Sequence, residues 1–95
     1  MKISVRYFFD FARIAGMTEE TVDMPPMSTL EQLFETLVSR HGKELRTRIF
    51  GEDCSLSAQV AILLNGRTLE KHKELFGHML SENDVLSVIP PVSGG

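Results

Sequence analysis

Between residues 28 and 42 the chain carries one apolar stripe of helical period, flanked on both sides by β-type segments. Leu30, Leu33, Phe34, Leu37 and Val38 fall at i, i+3, i+4, i+7 and i+8, on one face of a helix. Ser28 is placed to cap its start, and Glu31 three residues on completes a capping box. Gly42 closes it, with Arg40 and His41 in the last turn, where positive charge suits the helix dipole. A helix with a single greasy face must bury that face, and the segments around it supply a sheet to bury it against.

Those segments read as strands. Ile3, Val5, Tyr7 and Phe9 alternate with Lys2, Ser4, Arg6, Phe8 and Asp10, a period of two with one buried face. Phe8 falls on the polar side, where an aromatic is unexpected. Phe11–Ala15 predicts a short helical turn ended by Gly16. Glu20–Met24 predicts a second strand, stopped by Pro25-Pro26. After the main helix, Lys43–Phe50 has room for another turn or two, and Gly51–Ser57 is a polar loop. Val60–Leu64 is wholly apolar and reads as a strand buried on both faces. Asn65-Gly66 makes a tight turn into a short edge strand at Arg67–Leu69. Lys71–Leu80 reads as irregular, and Glu82-Asn83-Asp84 turns into a last strand, Val85–Ile89. The order β-β-α-β-β-β predicts an α+β fold of the β-grasp, ubiquitin-like kind. Its mixed sheet has about five strands covered by one main helix. The first and last strands are expected to pair in parallel, because a long helical connection separates them.

Ninety-five residues suggest one domain, here residues 1–90, with residues 91–95 as a flexible tail. An apolar fraction of 42% with 24% charged is that of a globular chain, not a disordered one. A formal charge of −3 without a Lys/Arg cluster argues against nucleic acid. Val60–Leu64 is too short to span a membrane, and Arg6 and Asp10 interrupt any signal-peptide core. The single Cys54 allows no internal disulfide, so a cytoplasmic location is expected.

The tail is Pro90-Pro91-Val92-Ser93-Gly94-Gly95. Two glycines are slim enough to enter a narrow slot, and two prolines stiffen the approach. Extended at ~3.3 Å per residue, Pro91 to Gly95 reaches roughly 16 Å. The group at its tip is an ionised α-carboxylate. As an electrophile it is inert until activated, for instance as an acyl-adenylate, after which a thiol, sulfide or amine can attack.

The segment Val5–Gly16, the strand pair around Asn65-Gly66 and the Pro-Pro-Val-Ser-Gly-Gly ending together resemble the small subunit of molybdopterin synthase and its ubiquitin-like sulfur-carrier relatives, the MoaD/ThiS-like family. Ile49–Asp53 is similar to the archaeal-type branch, some members of which are protein modifiers. Many small subunits carry an Arg-Glu pair where this chain has Ala12-Arg13. The resemblance implies a non-catalytic carrier. An E1-like adenylating enzyme uses ATP to activate the Gly95 carboxylate, and a sulfurtransferase supplies the sulfur that makes a thiocarboxylate. The tail then enters a large synthase subunit, where the sulfur passes to a pterin precursor of the molybdenum or tungsten cofactor. The chain itself would bind no cofactor and no metal. Two alternatives share the same fold and activation. One is a modifier joined through Gly95 to lysines; the other is a carrier for thiazole or cysteine synthesis.

The remaining reactive residues read as incidental. Glu52 and Asp53 beside Cys54 disfavour its thiolate. His41, His72 and His78 lack ligand spacing and read as surface histidines, and no Gly-rich loop offers a site for ATP. Phe8 differs. With Val88 or Ile89 of the last strand it would form an apolar patch where the tail leaves the body. In the family this sheet face, turned away from the helix, meets the partner enzymes.

Overall fold

In the computed structural model, residues 1–50, 60–69 and 75–90 are described. Five strands form one mixed sheet: β1 (Lys2–Tyr7), β2 (Glu19–Asp23), β3 (Ala61–Leu64), β4 (Arg67–Thr68) and β5 (Val85–Ile89). Their order across the sheet is β2-β1-β5-β3-β4. The central pair, β1 and β5, is parallel, with Ser4 opposite Val85 and Tyr7 opposite Val88. All other pairs are antiparallel. This is the expected β-grasp, with first and last strands side by side at the centre.

One face of the sheet is covered by helices α2 (Leu30–His41) and α3 (Lys43–Ile49), so the layer is longer than one helix. The apolar stripe of α2 is buried throughout, and Leu45 and Ile49 extend it along α3. Ile3 and Val5 of β1, Val22 of β2, Ile62 of β3 and Leu86 and Val88 of β5 meet this stripe from the sheet. Each such side chain contributes roughly 1.5–3 kcal/mol by leaving water. Phe34, Phe50 and Phe76 close one side of the core in edge-on and tilted contacts.

Three local expectations are corrected. The cap of α2 is Thr29, not Ser28, and its box partner is Gln32, not Glu31. The Thr29 hydroxyl accepts from the Gln32 N–H, while the Gln32 amide oxygen accepts from the Thr29 N–H at 2.8 Å. The reason lies far along the chain. Thr29 pairs with Met79, and Leu80 N–H donates to Ser28 O. These contacts hold Thr29 extended, so the helix begins one residue later. The second correction is β3: its residues alternate between buried and half-buried, because among the described residues the helices pack on one sheet face. The Ala-Ile-Leu-Leu run hides that alternation in the sequence.

Phe9 is the third. It is 73% exposed, not buried with Ile3, Val5 and Tyr7. β1 ends at Tyr7, and helix α1 (Asp10–Ala15) starts at Asp10. The chain must swing from strand to helix between them, and Phe9 takes the turn with φ 53°, ψ −121°. That conformation normally belongs to glycine, and a bulky residue there costs on the order of 1–3 kcal/mol.

Candidate functional site

Because β1 and β5 are parallel, both finish at the same edge of the molecule. The Phe8 N–H donates to Val88 O at 3.2 Å, which carries the register one residue past β1. Ile89 lies opposite Ala61 on β3, and Ser87 opposite Leu63. Side chains alternate along β5: Leu86 and Val88 are buried, while Val85, Ser87 and Ile89 are half-buried on the other face. The bare face at this edge therefore gathers Phe8, Ile89, Ala61 and Leu63. Phe8 is 37% exposed.

Of the residues expected to form an apolar patch at the tail exit, Phe8 and Ile89 are brought together there. Val88 is not. It is fully buried among the core residues opposite Ile62, so its place in the patch is corrected. The alternation of Val-Leu-Ser-Val-Ile is ambiguous by itself; the pairing with β1 and β3 settles it. Pro90 follows Ile89 and is buried at the base of the tail. Pro91, Val92, Ser93, Gly94 and Gly95 lie outside the described residues, as do Cys54 and His72.

Behind this edge, on the core side, sits a polar cluster that sequence reading missed. Glu20 is in phase with Val22 and faces the helix layer. Its Oε2 accepts from the Tyr7 hydroxyl at 2.6 Å and contacts His41 Nε2, and its Oε1 accepts from Arg40 Nη1 at 2.9 Å. The carboxyl group is 9% exposed, and so is the His41 side chain. His41 is thus no surface histidine. Burial alone would raise the Glu20 pKa, but the hydrogen bonds from Tyr7, His41 and Arg40 outweigh it and hold the carboxyl below its ordinary value. Burial, with the neighbouring carboxylate, pushes the Tyr7 hydroxyl up, so it stays a neutral donor. The cluster ties the end of α2 to β1 and β2 at Tyr7, the residue before Phe8. One signal was available in the sequence: a glutamate in register with Val22 and Met24.

The cluster is satisfied by its own members, and its role is to hold the sheet. The sheet face and Pro90 present what a partner could grip: an apolar surface beside the last described residue. Among the described residues, no group of three His, Cys, Asp or Glu is placed to hold a metal ion.

The model of the ThiS family matches residues 5–95. Small archaeal modifier protein 1 of Haloferax volcanii is 32% identical over 90 residues, covering 95% of this chain and 97% of that protein. Its crystal structure superposes with a TM-score of 0.85 at 30% identity, over 100% of both chains. A protein of Pyrococcus furiosus provisionally assigned as molybdopterin converting factor, subunit 1, matches at 32% identity and TM-score 0.77, over 97% of this chain and 99% of that one. With the five-stranded mixed sheet, the helix layer and the match over nearly its whole length, the chain belongs to the ThiS family of ubiquitin-like β-grasp proteins.

Proposed function

We propose that this protein is a sulfur carrier that works through the carboxylate of Gly95. The observation that carries the reading is the exit edge. An uncapped apolar face, Phe8 with Ile89, borders the point where the chain leaves at Pro90 toward Gly94-Gly95. The Gly95 carboxylate attacks the α-phosphate of ATP, giving an acyl-adenylate and releasing pyrophosphate. Hydrosulfide delivered by the sulfur source then attacks the acyl carbon, AMP leaves with the C–O bond broken, and loss of the proton leaves a thiocarboxylate. The adenylating enzyme and a sulfurtransferase supply the catalysis; this chain supplies the docking face and the acyl group. Its acceptor is a pterin precursor bound to a large synthase subunit. The resemblance to molybdopterin synthase small subunits and the likeness to the Pyrococcus protein support that choice.

The test is intact mass after incubation with the adenylating enzyme, ATP and a sulfur source. The mass should rise by the difference between sulfur and oxygen. Deleting Gly95 should abolish the rise while the fold survives. Loading without Gly95 would sink the reading.

The likeness to a small archaeal modifier protein favours a second reading, a modifier that ends as an amide on lysine. Epitope-tagged protein in its native cells distinguishes the two. A carrier runs mainly as free monomer on a denaturing gel, and cells lacking it fail to make the pterin cofactor. A modifier gives larger conjugates that vanish when Gly95 is deleted, with cofactor supply normal.

A further inference from the structure

The strand-to-helix turn at Phe9 asks for glycine, and the chain places phenylalanine there. Its φ of 53° with ψ of −121° is the geometry of the first central residue of a type II′ turn, which glycine dominates. The backbone task is simple: Phe9 O accepts from the N–H groups of Ala12 at 3.0 Å and Arg13 at 3.3 Å, closing the first turn of α1. Glycine would supply the same carbonyl without strain. The ring does not repay the strain inside the molecule, since it is 73% exposed and absent from the core cluster. An aromatic ring held outward by an unfavourable backbone has its use outside the chain.

Its position says with whom. Phe9 follows Phe8, whose N–H is bonded to Val88 O, two residues before the tail leaves at Pro90. An extended tail spans roughly 16 Å from Pro91 to Gly95. An enzyme holding Gly95 in its active site therefore works within about that reach of the rim on which Phe9 stands. Every fate of the tail, carrier or modifier, begins with activation of the carboxylate. The partner common to all of them is the ATP-using enzyme that adenylates Gly95.

We infer that Phe9 is an aromatic anchor that enters an apolar pocket of the adenylating enzyme, alongside the Phe8 and Ile89 face. The inference rests on the reading of Gly95 as the activated residue. Buried aromatic anchors dominate interfaces of this kind.

The experiment compares Phe9→Gly, Phe9→Ala and Phe9→Trp with the parent. The readouts are calorimetric affinity for the adenylating enzyme, carrier-dependent pyrophosphate exchange and thermal midpoint. Both Phe9→Gly and Phe9→Ala should raise Kd about tenfold, the usual size for loss of an aromatic anchor. The exchange KM should rise with them and kcat should hold. Phe9→Trp should stay within about threefold. The midpoint of Phe9→Gly should equal or exceed the parent's, because the turn is relieved. Parent-like Kd in both Gly and Ala variants overturns the inference, as does a loss confined to Phe9→Gly, which would assign the effect to the backbone. Deletion of Gly95 separates the two levels. If it abolishes exchange while the Phe9 variants bind normally, only the anchor is wrong. If exchange persists without Gly95, the function and the anchor fall together.

Discussion

The two ends of the central β1–β5 pair are finished in opposite ways. At the end where both strands begin, polar groups are paired off. Asp84 is buried; its carboxylate accepts from Asn65 Nδ2 at 2.9 Å and Ser81 N–H at 2.8 Å, and its carbonyl accepts from Ser4 N–H. Val85 N–H donates to Asn65 Oδ1, Asn83 N–H to Lys2 O, and Lys2 N–H to Glu82. At the end where both strands finish, Phe8 and Phe9 are exposed, with Arg6 and Ser87 the polar members of the outer face. The contrast separates, along one strand pair, polar groups that are paired off from aromatic surface that is left exposed. A polar network closes the starting end; the finishing end has the Glu20 cluster on its core side and exposed aromatics outside.

The largest test breaks the starting end. Asp84→Ala removes the buried carboxylate that accepts from the Ser81 N–H and the Asn65 amide, and hydrogen bonds to a charged acceptor of this kind contribute about 1.5–3 kcal/mol. Urea unfolding should show that loss in the midpoint at unchanged slope. Affinity for the adenylating enzyme, measured where the variant is folded, should match the parent's. Weakened affinity in a folded Asp84→Ala would mean that the two ends are coupled.

The finishing end has an inner side as well, and pH reads it. Glu20 carries a folded-state pKa held below the ordinary 4.5 by its hydrogen bonds. Its carboxylate therefore contributes stability that is fully present above the unfolded value and is lost as pH falls through the folded one. Glu20→Gln should cost about 2 kcal/mol at neutral pH, where the charged acceptor is lost. It should also flatten the acid limb of the stability profile below 4.5. Acid limbs of equal steepness in parent and variant would remove Glu20 as the group responsible.

Phe8→Ala is the mirror image of Asp84→Ala. Affinity for the adenylating enzyme should weaken by about 1–2 kcal/mol, with stability changed by less than about 0.5 kcal/mol. Strong destabilisation with unchanged affinity would mean that the outer face is structural.

Much of this division was legible in the residues. Period-two alternation found β1, the 3.6-residue stripe found α2, and Asn65-Gly66 and Glu82-Asn83-Asp84 marked turns that the structure contains. Helical connection length was enough to place β1 beside β5 in parallel. What escaped depended on neighbours distant in the chain. Glu20 gains its meaning from Tyr7, Arg40 and His41, which only the fold assembles. Val88 and Ile89 are both apolar, and only the ladder with β1 and β3 says which is buried. Phe9 continued the alternation of β1 on paper, but a two-residue strand-to-helix turn ended the strand first.

The smallest effect distinguishes two neighbouring hydroxyls at the start of α2, near the well-paired end. Thr29 satisfies the helix through its reciprocal bonds with Gln32. Ser28 is buried, and its hydroxyl donates instead to Pro25 O at 2.6 Å, bracing the turn before the helix. Truncating a capping side chain costs about 1 kcal/mol. Thr29→Ala should lose that much. Ser28→Ala gives up a single neutral bond, and Pro25 O keeps the Ser28 N–H at 3.3 Å as a donor, so its loss should be about half as large. Chemical denaturation of the two variants side by side settles the ranking. A larger loss from Ser28→Ala would mean that the turn, and not the helix cap, secures this end of the molecule.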